Sequence, residues 1–297
     1  MIFLLLSAVS ASLLASRCDQ DCDWDEFCCD RLPNSLIWMP EGPPLMRPFL
    51  ADPRRIAMSV AWRRDDDLFH ENLGPISFGN QLDFMRWCRP CGLPGEFQWG
   101  IEGAIWAIFE HTEYSAPLVN ADYYVAFPFT YALGPWRFRF RAYHISSHIG
   151  DEFLLYNPGF DRKNASFEFL DFFVTYQRGE WWRLYGGLGV IARSDEEFRC
   201  KKFYAEYGLD FVMPWLMTCW PESRLIGQPF FGMHYRTRAE NDYKFDGWYV
   251  LGYQLGKQCG LERRARLFLE YHSGYSADGQ FCKEQTNYWS LNLSYGY

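Results

Sequence analysis

The sequence predicts an all-β chain: an antiparallel transmembrane β-barrel of about twelve strands that follows a cleaved signal peptide. Three observations carry that prediction. The N-terminus is apolar and short, as an export signal is. Apolar and polar residues alternate with period two through most of the chain, while helical periodicity is almost absent. Aromatic residues make up 20% of the 297 residues, and they recur on one face of the alternating segments, as on a lipid-facing wall.

Composition narrows the alternatives. The net charge of −8 and a pI near 5.3 argue against a nucleic-acid partner. The mean hydropathy is −0.28, and past residue 16 no run approaches the ~18 apolar residues that a membrane helix needs. A polytopic helical membrane protein is thereby excluded. The aromatic load likewise excludes a disordered chain.

The first division of the chain is at the N-terminus. Residues 2–15 (IFLLLSAVSASLLA) are uniformly apolar or small and precede Ser16 and Arg17. Residues 1–16 therefore read as a signal peptide. Arg17 stands directly before Cys18, where a lipoprotein would need a small residue. Residues 17–45 form a Cys- and Pro-rich periplasmic lead that contains Trp24, Trp38, Pro40, Pro43 and Pro44, an irregular segment that packs below the barrel or enters it. Residues 46–297 form the barrel.

All ten cysteines lie beyond the signal: Cys18, Cys22, Cys28, Cys29, Cys88, Cys91, Cys200, Cys219, Cys259 and Cys282. An even number in an exported chain points to disulfides. The four near the N-terminus match no zinc-finger spacing, and they are suited to disulfides within the chain or to envelope partners. Cys88 and Cys91 have CxxC spacing without the βαβ context of a thioredoxin-like site, which predicts a local structural bridge.

Strand by strand, the alternation is explicit. Trp136, Phe138 and Phe140 alternate with Arg137, Arg139 and Arg141. Leu184, Leu188 and Val190 share one parity with Trp182, and Leu267, Leu269 and Tyr271 alternate with Arg266, Phe268, Glu270 and His272. Strands are expected near 55–64, 75–87, 96–110, 121–132, 135–148, 166–178, 181–193, 202–213, 226–238, 247–257, 264–275 and 286–297. Their length exceeds the roughly 5–6 residues usual in soluble sheets, and their number is even. Tight connections at 133–134 and 179–180 belong on the periplasmic side. Longer ones, including 149–165, fall outside; the long connection 214–225 breaks the rule. The last strand places Trp289, Leu291, Leu293, Tyr295 and Tyr297 on one face, which resembles the C-terminus of outer-membrane barrels. The expected location is the outer membrane of a two-membrane bacterium, with both termini periplasmic and membrane lipids as partners.

The same parity sends Arg137, Arg139, Arg141, Glu206, Arg236 and Glu270 into the lumen, with Asp83, Glu102, Arg183, Asp210, His234, Arg238 and His272. Buried charges need partners, so a packed ionic plug is the favoured reading. An anion-preferring pore is the alternative.

One constellation has the residue types for chemistry. His144, Ser146 and His148 share the outward face of the strand beginning at Trp136, near its outer end. A histidine two residues from a serine on one strand face is a side-by-side neighbour and can serve as its base. The spacing of His144 and Ser146 is similar to the His-x-Ser pair of outer-membrane phospholipase A and of the lipid A deacylase barrels. That resemblance implies an outer-leaflet acyl-ester hydrolase with His144 and Ser146 in catalytic roles. A third, orienting residue is not obvious: Asp151 and Glu152 are close in sequence, and Asn164 and Glu168 are candidates from the next strand. In the phospholipases Asn-Gly follows the serine; here Ser147 and His148 do. The alternative is that His144, His148, Asp151 and Glu152 pin the long outer loop or bind a divalent cation such as calcium.

A second resemblance covers more of the chain. Leu50-Ala51-Asp52-Pro53-Arg54, the run His144–Phe153, and Glu270-Tyr271 with Gly274-Tyr275-Ser276 and Gly279-Gln280-Phe281 are similar to hallmarks of the family called domain of unknown function 1207, over about residues 35–297. The resemblance implies an exported envelope protein and assigns no activity. It singles out His148, Ser276 and Gln280 as candidate binding residues, because the second and third motifs are expected to meet beyond the outer strand ends. The leading functional expectation is an envelope structural or interaction role, with the lipid hydrolase and the narrow channel as alternatives.

Overall fold

The structure is a computed structural model that describes residues 34–69, 72–111, 115–179, 181–257 and 262–297. The expected signal peptide and Cys18, Cys22, Cys28, Cys29 and Cys259 lie outside the described residues.

All strands join one antiparallel sheet. In chain order they are β1 (Leu36–Trp38), β2 (Met58–Arg64), β3 (Leu73–Cys88), β4 (Glu96–Glu110), β5 (Leu118–Leu133), β6 (Trp136–Ile149), β7 (Ala165–Arg178), β8 (Trp182–Ser194), β9 (Phe203–Val212), β10 (Thr218–Trp220), β11 (Leu225–Arg238), β12 (Asp246–Lys257), β13 (Arg264–Tyr275) and β14 (Gln285–Gly296). A single α-helical turn, α1 (Asp151–Tyr156), follows β6. β1 and β10 are three-residue additions beside β3 and β11. The other twelve form a ring, closed where β14 pairs with β2 and β2 with β3. Closure removes the exposed sheet edges that would otherwise recruit other chains. The strand count matches the alternation, and the connection 214–225 contains β10 folded back on β11.

The two ends of the barrel differ. At the turn end β5 and β6 are joined by Leu133, Gly134, Pro135 and Trp136, with Gly134 at φ 54, a left-handed value that glycine takes without strain. The other end carries the longer connections, including the segment with α1, and is here the loop end. Gly150 links β6 to α1 in close contact with β5: a Cβ there would stand 1.8 Å from the Leu118 carbonyl oxygen.

The outward wall is apolar, with Phe127, Phe140, Phe172, Leu188, Leu251, Leu267 and Leu291 all exposed. Aromatic rings gather in two rows. Near the loop end Tyr207, Tyr235, Tyr249, Tyr271 and Trp289 stand side by side on β9, β11, β12, β13 and β14, with successive ring centres 5.5, 5.7, 6.2 and 4.7 Å apart. Toward the turn end Trp136, Tyr176, Trp182, Trp181 and Phe211 make a similar chain of contacts. Two aromatic girdles around an apolar band are the surface of a membrane-spanning barrel.

The interior holds part of the chain itself. Residues 45–57 do not join the wall. They enter the lumen from the turn end, rise to Arg54 and return to start β2. Met58 therefore begins that strand, three residues later than the alternation suggests. Inward side chains from opposite sides of the ring grip this plug. The Leu45 N–H donates to Gln98 Oε1 at 2.6 Å, and Arg137 Nε donates to the Leu45 carbonyl at 3.1 Å. Arg183 donates to the carbonyls of Arg47 and Pro48, both at 2.8 Å, and is ion-paired with Asp210. The Leu50 N–H donates to Asp210 Oδ1 at 3.1 Å. Phe49 is 1% exposed and stacks on Tyr185 with ring centres 3.6 Å apart. The guanidinium of Arg139 lies 5.7 Å from the ring of Phe49 and 5.3 Å from that of Phe173. Leu50 and Ala51 pack against Phe230, Trp248, Val250 and Phe268. The expected ionic plug is thus a backbone plug clamped by ionic side chains.

Above it, Arg141 pairs with Asp171 at 2.7 Å and Glu102 at 3.5 Å. Arg236 pairs with Asp246 at 2.9 Å, Glu206 lies 3.7 Å from His234, and Glu270 accepts from Tyr288 at 3.2 Å. Arg141 and Arg236 thus meet carboxylates, as burial favours. The predicted Cys88–Cys91 bridge is not formed: Cys91 is an exposed free thiol, on a residue with φ 52 in the turn after β3.

Phe49→Ala tests whether the plug supports the wall. Removing a fully buried ring is expected to cost about 3–5 kcal/mol, read as a lower denaturant midpoint in micelles. An unchanged midpoint would mean that the plug and wall are energetically separate.

Candidate functional site

Two clusters contain the residues singled out in the sequence, and they lie on opposite faces of the same strand. β6 pairs with β5 and β7 without a register shift, so its alternation runs unbroken from Trp136 to Ile149. His144, Ser146 and His148 therefore face outward, and Tyr143, Ile145, Ser147 and Ile149 face in.

On the outer face, Ser146 Oγ lies 2.9 Å from His148 Nε2. The ring that meets the serine is that of His148, not His144. Tyr123, directly across from Ser146 on β5, sets its ring edge-on to His148 at 5.4 Å and fixes the side on which the imidazole rests. His144 instead stands opposite Glu168 on β7. A serine hydroxyl donating to an imidazole is the arrangement that a general base needs to take the hydroxyl proton.

The expected orienting acids lie elsewhere. Asp151 and Glu152 occupy the first turn of α1, exposed, and Glu152 accepts from Ser115 at 3.3 Å. Glu168 pairs with Arg193 at 3.6 Å, and Asn164 donates to Asp195 at 2.8 Å. Among the described residues no carboxylate is bonded to either histidine, so the outer site is a pair rather than a triad. Among the same residues no group of three or more His, Cys, Asp and Glu side chains forms a metal site.

On the inner face three separated sequence motifs converge. Arg54, at the tip of the plug, is bonded to Asp122 on β5 and to the carbonyl of Ala277 in the β13–β14 connection. Asp122 also accepts from the Gly279 N–H at 3.0 Å and from Asn120 at 2.9 Å. Ser147 donates to Asn120 at 2.9 Å, and Gln280 donates to the carbonyls of Ser147 at 3.2 Å and Lys163 at 2.7 Å. Ser276 donates to Asp278 at 3.0 Å. The motifs do meet, but through Ser147 rather than through His144 or His148. Ser276 and Gln280 spend their polar atoms within the roof of the barrel. Beside them Phe281 packs with Leu73, Ile108, Val119 and Ile149, and Phe153 of α1 adds to the same cluster.

Asp122 was not singled out in the sequence. It lies in Ala121-Asp122-Tyr123-Tyr124, where a single inward acid on an otherwise apolar strand is the available signal. Asp122→Ala strands the Arg54 guanidinium and a buried N–H together. It is expected to destabilise the fold by about 3–5 kcal/mol, with the 276–284 segment cleaved faster in limited proteolysis. An unchanged cleavage rate would separate the plug tip from the roof.

The fold has counterparts among solved structures. Outer membrane phospholipase A from Escherichia coli is similar with a TM-score of 0.52 at 9% identity, over 80% of this chain and 91% of that one. The Salmonella typhi outer membrane phospholipase dimer with bound calcium gives 0.51 at 9% identity, over 82% and 93%. At that identity the likeness is one of fold. No curated protein matches the sequence. The model of a protein family of unknown function, DUF1207, matches residues 21–297, and the chain belongs to that family.

Proposed function

We propose that the protein is an outer-membrane barrel closed by its own chain, with a structural or interaction role in the envelope. The observation that carries this reading is the plug: residues 45–57 are bonded to side chains of β4, β6, β8 and β9 around the lumen. The aromatic rows and the apolar wall between them support a membrane position. The turn end, which both described chain ends approach, is assigned to the periplasm and the loop end to the outside. Lipids cover the wall, and disulfides from the N-terminal cysteines to envelope proteins belong to the same reading.

Planar-bilayer recording on the refolded protein tests the closure. No sustained conductance is expected; a stable anion-selective current would favour the pore instead. Leu155 in α1 is 78% exposed, so Leu155→Cys, labelled in intact cells by an impermeant maleimide, tests the orientation. Labelling only after lysis would reverse it.

A second reading rests on the 2.9 Å contact between Ser146 and His148. In it the two act on an acyl ester of an outer-leaflet lipid. His148 Nε2 takes the Ser146 proton as the oxygen attacks the ester carbonyl, then returns it to the departing alcohol. Water next hydrolyses the acyl-serine by the same base. Fatty-acid release from phospholipid or lipid A vesicles, with calcium supplied because the Salmonella relative binds it, is the assay. Ser146→Ala and His148→Ala are expected to lower release at least about 100-fold, while His144→Ala keeps most of it. Release that survives Ser146→Ala would overturn the reading.

A further inference from the structure

Two thiols at the loop end belong to neither cluster. Cys200 lies in the connection between β8 and β9, and Cys282 follows the 3-10 turn Gly279–Phe281 in the connection between β13 and β14. Both are free thiols, and they pack in one apolar cluster. Cys282 is 7% exposed and packs with Ala165, Phe167, Ile191 and Phe198; Cys200 lies half-buried against the same cluster.

The surroundings are not those of inert apolar filler. Arg238 donates to the Cys282 carbonyl at 2.7 Å. Lys283 donates to the Arg199 carbonyl at 2.8 Å and pairs with Glu240 at 3.0 Å. Glu240 also accepts the Lys201 N–H at 2.7 Å. The neighbouring Cys200, and after it the charges of Arg238, Arg236 and Lys283, draw the Cys282 thiol down against the opposing effect of burial. The neighbouring Cys282 and burial push the Cys200 thiol up. A thiolate beside a thiol is the starting arrangement for disulfide exchange. Cys200 and Cys282 both line a cavity above the plug, shared with Asp52, Arg54, Ala277 and Gly279.

The position of Cys282 gives the pair a consequence. The connection that carries it also supplies the Ala277 carbonyl to Arg54 and the Gly279 N–H to Asp122. We propose that Cys200 and Cys282 are a disulfide-forming pair that ties the 195–202 connection to the 276–284 connection and locks the roof over the plug tip. The oxidant is a small organic disulfide. The Cys282 thiolate attacks the reagent, forming a mixed disulfide and releasing one thiolate, which takes the Cys200 proton. The Cys200 thiolate so formed then attacks the Cys282 sulfur and releases the second thiolate. Two thiols are oxidised to one disulfide, and one reagent disulfide is reduced to two thiols.

The test uses the full folded chain in micelles treated with hydroxyethyl disulfide, blocked with N-ethylmaleimide and digested without reduction. The expected product is a Cys200–Cys282 peptide pair, lighter by two hydrogens than the two reduced peptides together. The oxidised protein is expected to unfold at higher denaturant than the reduced one, with the difference abolished in Cys200→Ser. Recovery of both cysteines as maleimide or mixed-reagent adducts would overturn the pairing. A cross-link without any shift in midpoint would overturn the locking.

Discussion

A closed ring of strands has to answer its own interior, and here the answer is a stretch of backbone. The inward arginines of β6 and β8 cannot all be paired with inward acids, because acids and bases are not spaced one to one along those strands. Arg137 donates instead to the Leu45 carbonyl, and Arg183, besides pairing with Asp210, donates to the carbonyls of Arg47 and Pro48. Those carbonyls have no strand partner because the plug is irregular, so each side supplies what the other lacks. An unmet buried donor or acceptor costs about 1–3 kcal/mol, and this reciprocity makes plug and wall one folding unit. The ring of Phe49 adds apolar contact on the same axis, between Tyr185 and Phe173.

From that interaction the roof follows. The plug rises far enough to place Arg54 beside Asp122, and Asp122 in turn holds the β13–β14 connection through Gly279. The segments around residues 50–54, 144–153 and 270–281 are far apart in sequence, yet they converge on this carboxylate within a few hydrogen bonds. Their coincidence is structural: they build the closure of one end of the lumen. His144, Ser146 and His148 share a strand with this closure but not a face, so the outer pair is chemically independent of it. The side-chain bond of Ser146 goes to His148 and not to the roof.

Much of the wall was legible in the sequence. Long runs such as 96–110, 136–149 and 285–296 alternate cleanly, because one face meets an apolar surround and the other a polar lumen. The plug was not legible as such. Leu45-Met46-Arg47-Pro48-Phe49-Leu50 has no period, and an irregular segment declares its position only through partners distant in sequence, such as Gln98, Asp210 and Ser294. The outer pair was half legible. Parity placed His144, Ser146 and His148 on one face, but residues two before and two after a serine are equivalent along a strand. The choice of His148 follows from the neighbouring strand, where Tyr123 meets its ring. Cys88 and Cys91 show the converse error: close spacing suggested a bridge, while Cys91 is an exposed free thiol.

The outer pair also illustrates what a barrel wall demands of polar groups. A hydroxyl and an imidazole on the outward face would each lose water on meeting lipid, and their mutual hydrogen bond offsets part of that cost. Ser166 lies directly across from Ser146, and Glu168 from His144, so the polar patch extends onto β7 at the same height. The patch is therefore a local break in the apolar wall close to the loop end, where the penalty for polar groups falls toward roughly zero to 1 kcal/mol. A purely structural strand end needs no such break, because Tyr or Trp would serve the same height, as in the row from Tyr207 to Trp289. The break sets Ser146 and His148 apart from the rest of this wall, and it is separate from the lumen, which the plug already occupies.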